Sequence, residues 1–219
     1  MMSSGLYSRL KDGISPIEQI MRKSDPAKND LVRDEILRAA TGLFQTYGLD
    51  KTTMEDIAGT AGKGKSTLYY YFRRKEDVFY AVAGLERLDM LEIINKGIRW
   101  AHSAEEKLRL FFTIRSNAIK NKAKLYAIAF RETRKHIQLF HRIQRESNTA
   151  EVKIMRGILL EGIAAGEFKS IKQEECETIA ITGISTLHGM DLNLLLDGKM
   201  PSAEARLGAV LNVFIRGLK

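Results

Sequence analysis

The sequence predicts an all-α protein, and three observations carry that expectation. Apolar residues recur at helical spacing in almost every segment, and no stretch alternates with the two-residue period of a half-buried strand. Only three prolines occur in 219 residues, at positions 16, 26 and 201, so long helices can run without interruption. Hydroxyl and carboxylate or carboxamide side chains stand three residues apart ahead of several apolar runs, the pattern of a capped helix start.

Composition narrows the class. An apolar content of 44% and a charged content of 28% are ordinary for a globular protein large enough to bury a sizeable core. The lone Cys176 excludes an intrachain disulfide framework and a cysteine zinc site, and is expected as a small buried hydrophobe. The N-terminus lacks the apolar region of a signal peptide. No apolar run approaches the ~18 residues of a membrane span, so a cytoplasmic protein with no membrane partner is expected. The net charge of +8 suits a polyanionic partner. Its distribution is uneven: residues 29–80 balance eight cations against eight anions, whereas residues 115–145 hold nine cations against Glu132 alone.

Taken in order, residues 1–28 mix Ser, Gly, Pro and charges, and are expected as a mobile or loosely docked extension. Ile14, Ile17, Ile20 and Met21 suit one short amphipathic helix there. Asn29 or Asp30 can cap the first firm helix. Ile36, Ala40, Leu43, Phe44 and Tyr47 form its apolar face and Gly48 its end. A short helix follows over Thr53–Ala61, capped either by Thr52 with Glu55 or by Thr53 with Asp56, and stopped by Gly62. A second short helix, Lys65–Phe72, begins almost at once. Two helices joined by so little chain must cross steeply, which is the helix-turn-helix motif, whose second helix lies in the major groove of DNA. From Lys63 to Lys75 there are five cations and no carboxylate, the chemistry of a phosphate-binding surface. Tyr69, Tyr70 and Tyr71 cover roughly 300° of a helix at ~100° per residue, so they cannot all be buried.

The run A-G-x-G-K-S-T-L-Y-Y-Y-F-x-x-K-E-D resembles the signature of the TetR family of one-component transcriptional repressors. The resemblance is strong over residues 30–80 and extends over the rest through length and helical pattern. Lys63 departs from the small apolar residue usual in the turn, and Gly64 from the usual capping Ser. The resemblance implies a helix-turn-helix domain over 29–76 and a helical effector-binding and dimerisation domain over 77–219. In it Lys65, Ser66 and Thr67 would face base edges. Tyr69, Tyr70 and Tyr71 would contact phosphate, sugar or a thymine methyl, and Thr53 and Lys75 would hold phosphates. Lys63 completes the set expected at the double-stranded operator.

A long helix, roughly 75–99, leads away from this motif and is placed to carry a displacement. Ser103 with Glu106 opens a helix to about Lys120, and another is expected over 122–135. Residues 138–165 form a third, whose polar stretch at 144–151 suggests a bend or an exposed middle, with Gly166 at its end. Ser170 with Gln173 is expected to cap a helix to about 196. The last helix, from Pro201–Ser202 to Gly217, carries Leu207, Val210, Leu211, Phe214, Ile215 and Leu218 as one dense stripe. By resemblance, the last two helices would build a four-helix homodimer interface, with Gly183, Leu187, Leu207, Leu211, Phe214 and Ile215 in it. A cavity for a small-molecule effector would be lined by Trp100, Phe111, Phe112, Tyr126 and Phe130. Arg115 and Arg131 would stand at its mouth and favour an anion.

No constellation assembles a nucleophile, base and orienter. HExxH, a P-loop, a dinucleotide glycine fingerprint and GxSxG are all absent, so no catalytic residue, metal ligand or cofactor is expected. Two rival readings stay open: an interaction protein on the same scaffold that does not bind DNA, and an activator in place of a repressor.

Overall fold

The computed structural model describes residues 26–121, 136–197 and 203–219. Helix α1 runs Pro26–Lys51 and kinks at Gly48, whose φ of 82° only glycine adopts without strain. Ile36, Ala40 and Phe44 of its expected apolar face are buried, but Tyr47 is exposed. Helices α2 (Met54–Thr60) and α3 (Lys65–Tyr71) follow. Leu37, Phe44, Ile57, Leu68 and Phe72 close with Val78, Phe79 and Val82 around one hydrophobic core, in which Phe44 and Phe79 meet edge to face at 5.1 Å.

Helix α4 (Lys75–Ile98) belongs to two cores. Its first turns fill the one just described, while Met90 and Ile94 enter a second. That second core gathers Leu108, Phe111 and Phe112 from α5 (Ala104–Asn121) and Met155, Ile158 and Leu159 from α6 (Ile137–Ala164). It also takes Ala180, Ile184 and Leu187 from α7 (Cys176–Asp197) and Leu211, Ile215 and Leu218 from α8 (Ala203–Leu218). Cys176 is fully buried there, as its small apolar character suggests.

Helix α6 also joins both cores. Leu139, Phe140 and Ile143 pack on the first, with Phe140 and Phe79 at 5.9 Å, and the later turns pack on the second. Where a bend or an exposed middle is expected, at 144–151, the helix runs on without interruption and the stretch is divided: Gln144, Arg145 and Thr149 are exposed, whereas Glu146 and Glu151 meet partners. Glu146 accepts from the Tyr80 hydroxyl and, at 2.9 Å, from Arg87 Nη1, while Glu151 meets Arg115. A second departure is at the start of α7. The Ser170–Gln173 cap is absent, and the Glu175 carboxylate instead accepts from Lys172 N at 2.6 Å, ahead of a 3-10 turn over Gln173–Glu175. At α5 the expected hydroxyl bond is present, Glu106 N donating to Ser103 Oγ at 3.1 Å. The Glu106 carboxylate, however, accepts from His102 N.

Residues 1–25 of the expected N-terminal extension, the helix expected over 122–135 and the turn around Pro201 lie outside the described residues. Residues 26–28 already belong to α1, so Asn29 and Asp30 lie inside that helix and not at its cap.

Candidate nucleic-acid interface

The angle between α2 and α3 is built by local chemistry. Thr53 caps α2: its hydroxyl accepts from Asp56 N at 3.1 Å, and Asp56 Oδ2 accepts in return from Thr53 N at 3.0 Å. Of the two arrangements open in the sequence, this one forms. Thr52 is buried and donates its hydroxyl proton to Gly48 O. The Thr53 bonds hold the Asp56 carboxyl below the ordinary carboxylate range. Gly62, at φ 63°, turns the chain out of α2, and Lys63 N donates to Ala58 O at 2.9 Å. Gly64 enters α3 in extended conformation with no side-chain cap.

Leu68, fully buried, fixes the rotation of α3. Lys65, Ser66, Tyr69, Tyr70 and Arg73 are therefore exposed along one contiguous face, and Thr67 is half-buried. The three tyrosines divide as geometry demands. Tyr71 packs against the core, while Tyr69 and Tyr70 stand in solvent at 43% and 67% exposure. Tyr70 meets Tyr71 edge-on at 5.1 Å.

The cations are committed to a degree that the local charge count does not reveal. Lys63 pairs with Glu35 of α1 at 2.5 Å, Lys65 pairs with Glu55 of α2, and Arg74 pairs with Asp77 at 3.3 Å. The Lys65 hydrogen bond pulls the Glu55 carboxyl down, and the same bond pushes Lys65 up. Lys75 corrects the sequence reading. Its ammonium donates to the carbonyls of Asp50 at 2.8 Å and Thr52 at 3.1 Å, so it ties α4 to the loop before α2 and is not held out toward a phosphate. A count along the basic run misses Glu35 and Glu55 because each lies on an earlier helix. Glu55, ten residues ahead of Lys65 across a tight turn, is the signal the sequence does contain.

Of the residues expected to form an effector cavity, the four that are described have different surroundings. Trp100 is 79% exposed beyond α4. Arg115, expected at a cavity mouth, is 1% exposed; its Nε donates to Glu151 Oε2 at 2.6 Å, and His188 Nε2 lies 3.6 Å from the same oxygen. Burial alone would push the Glu151 carboxyl up, but Arg115 and His188 hold it below the ordinary carboxylate value. Phe111 and Phe112 are core residues. Phe112 also floors an open apolar groove of about 160 Å³ between α5, α7 and α8, walled by Thr186, Val210 and Phe214. Tyr126, Phe130 and Arg131 lie outside the described residues.

Most of the expected interface residues face inward. Leu187, Leu211 and Ile215 are buried in the chain's own core, and Leu207 and Phe214 pack partly against it. A Cβ on Gly183 would meet Met155 Cε of the same chain at 2.8 Å, so this glycine serves internal packing. The residues these helices leave exposed are others, Ile181, Val210 and Val213 among them. Among the described residues no cluster of His, Cys, Asp and Glu could hold a metal ion, and no helix is long and apolar enough to cross a membrane.

Comparison with known proteins agrees with this geometry. The model of bacterial regulatory proteins of the tetR family matches residues 36–82, which span the whole motif. The transcriptional repressor KstR2 of Mycolicibacterium smegmatis is 31% identical over 156 residues, 68% of this chain and 73% of that protein. The fatty acid metabolism regulator protein of Bacillus subtilis is 28% identical over 136 residues, 62% of this chain and 70% of its own length. Among solved structures, the fatty acid degradation regulator FadR of Bacillus halodurans superposes with a TM-score of 0.67 at 23% identity, covering 90% of this chain and 99% of its own. FadR of Bacillus subtilis, solved in complex with stearoyl-CoA, gives 0.66 at 23% identity, covering 85% and 99%. The two solved structures share the fold over most of the chain, and the curated relatives are regulators of transcription, not enzymes. The chain belongs to the TetR family of transcriptional regulators.

Proposed function

We propose that the protein is a ligand-responsive repressor that binds a near-palindromic operator as a homodimer and leaves it when a small molecule occupies the second core. The contiguous exposed face of α3, with Lys65, Ser66, Tyr69 and Tyr70, carries this reading. It offers donors and flat amphipathic rings on a helix of the width the major groove admits, and Leu68 anchors it from behind. Thr53, Lys63 and Thr67 border that face and would contribute contacts to the backbone.

Assembly is supported by the outer surfaces of α7 and α8. Thr178, Ile181, Thr182, Ser185, Thr186 and Gly189 are exposed on α7 without a charge among them, and Val210 and Val213 stand beside them on α8. An uncharged surface on two adjacent helices suits a self-complementary contact about a two-fold axis. Repression rather than activation follows the relatives, which include KstR2.

The effector reading differs from the one the sequence suggests. Arg115 is already neutralised by Glu151, so it supplies no free charge to an anion. Support comes instead from the likeness to a fatty acid metabolism regulator, which makes a long-chain acyl thioester the first compound to test. His188 Nδ1 is buried with no hydrogen-bond partner among the described residues, a position where a polar ligand atom would be accommodated. An effector must favour the DNA-incompetent state; a 100-fold preference per site amounts to about 2.7 kcal/mol. Helices α4 and α6, each packed in both cores, would carry the displacement.

Selection from a random duplex pool tests the reading. The protein should enrich a near-palindrome, and stearoyl-CoA, but not CoA alone, should release it. A pool that stays random after repeated rounds would rule out sequence-specific DNA binding.

A further inference from the structure

Lys65 lies in the first turn of α3 and Glu55 in the first turn of α2, and their ion pair bridges the angle of the helix-turn-helix. Both side chains are more than half exposed, at 61% and 55%, so the pair lies on the surface that faces solvent beside Ser66 and Tyr69. The Glu55 carboxylate and the Lys65 ammonium each stabilise the other's charged form.

A bare lysine on such a face would bind any phosphate, adding affinity without information. A lysine held by a carboxylate behaves differently. Moving its ammonium to a phosphate leaves the carboxylate facing a polyanion, with nothing on the DNA backbone to donate to it. The major-groove edge of a G·C pair does satisfy both groups: guanine O6 and N7 accept from an ammonium, and the cytosine N4 amino group donates to a carboxylate. We propose that Glu55 is a specificity-determining residue of the DNA-binding face. It reads cytosine while Lys65 reads guanine, and it opposes binding at sites that lack that pair. The proposal rests on the DNA-binding reading above and adds a reading group that the basic run itself does not contain.

The test compares wild type, Glu55→Gln and Glu92→Gln. Glu92 pairs with Lys96 on the exposed side of α4, so Glu92→Gln removes one negative charge outside the motif and controls for net charge. Each protein is put through selection from a random duplex pool, then titrated with the wild-type selected duplex and with a scrambled duplex of the same composition. Wild type and Glu92→Gln should enrich a G·C pair at one position of each half-site. Glu55→Gln should lose that preference, bind the scrambled duplex more tightly, and show a ratio of specific to scrambled affinity lower by roughly tenfold per half-site. If wild type enriches a sequence and Glu55→Gln enriches the same one with an unchanged ratio, Glu55 plays no part in reading. Glu55 is equally excluded if its substitution changes scrambled-duplex binding no more than Glu92→Gln does. If wild type enriches nothing, the DNA-binding reading itself falls, and that outcome is distinct. Thermal unfolding of all three proteins checks that the motif stays folded.

Discussion

A cation's role is decided by what lies within reach of its end group, and Lys75 shows the difference this makes. Counted along the chain it belongs to a basic run; in the fold its ammonium donates to two carbonyls at and just past the end of α1. Lys75→Met should therefore lower stability by about 1–2 kcal/mol, the range between an ordinary hydrogen bond and a charged one. The salt dependence of DNA binding should stay unchanged. A salt slope that falls by about one unit per subunit would return Lys75 to the phosphate backbone. Arg115 and Glu151 make the opposite case, since both are buried and each is the other's partner. Glu151→Gln leaves a buried guanidinium without its carboxylate and should cost about 3 kcal/mol in a urea unfolding curve. The pH dependence has a definite sign. The folded Glu151 carboxyl titrates below its ordinary value of 4.5, so its contribution is present above that value and is lost as pH falls through the lower, folded one. Wild type should lose stability on acidification below about pH 4.5 more steeply than Glu151→Gln.

At the scale of elements, the sequence is most legible where a signal and its partner are near neighbours. Thr53 with Asp56, Gly62 after α2 and Gly166 after α6 each act within a few residues; both glycines are found as expected, and of the two caps left open for α2 the Thr53 one forms. Thr53→Ala should accordingly cost about 1 kcal/mol in thermal unfolding through loss of the α2 cap. An unshifted melting curve would mean that tertiary packing alone holds that turn. Legibility fails where a side chain's partner is far along the chain. The polar stretch of α6 reads as solvent-facing from its own composition. It is half inside because Tyr80 and Arg87 on α4 and Arg115 on α5 lie 66, 59 and 36 residues away from their carboxylates. Glu55 is hidden for the same reason on a shorter scale. The stripe on α8 reads as buried, and Leu211, Ile215 and Leu218 are, while Val210 is exposed; periodicity cannot say whether the covering surface belongs to the same chain or to another. Leu211 and Ile215 turn out to be covered by their own subunit.

That distinction decides how the whole molecule should be taken apart. Two helices, α4 and α6, tie the DNA-binding core to the second core, so a charge placed inside either core unfolds the structure that holds the recognition helix. Leu211→Asp would do this: it buries a carboxylate with no partner, and loss of cooperative folding is the expected result. The outer face of α7 and α8 offers a cleaner cut. Ile181 is 49% exposed and Val213 72% exposed, so charges there meet water in an isolated subunit and meet each other's copies only across a two-fold contact. Ile181→Asp combined with Val213→Asp should give a folded monomer by sedimentation, with little change in its unfolding midpoint when measured at low protein concentration. Its affinity for a full operator should fall to that of a single half-site, because the second recognition helix is no longer held near the first. Leu211→Asp should instead lower helical content along with assembly. A double variant that stays dimeric would move the interface off this face. A monomer that still binds the full operator as tightly as wild type would show that the two half-sites are engaged independently.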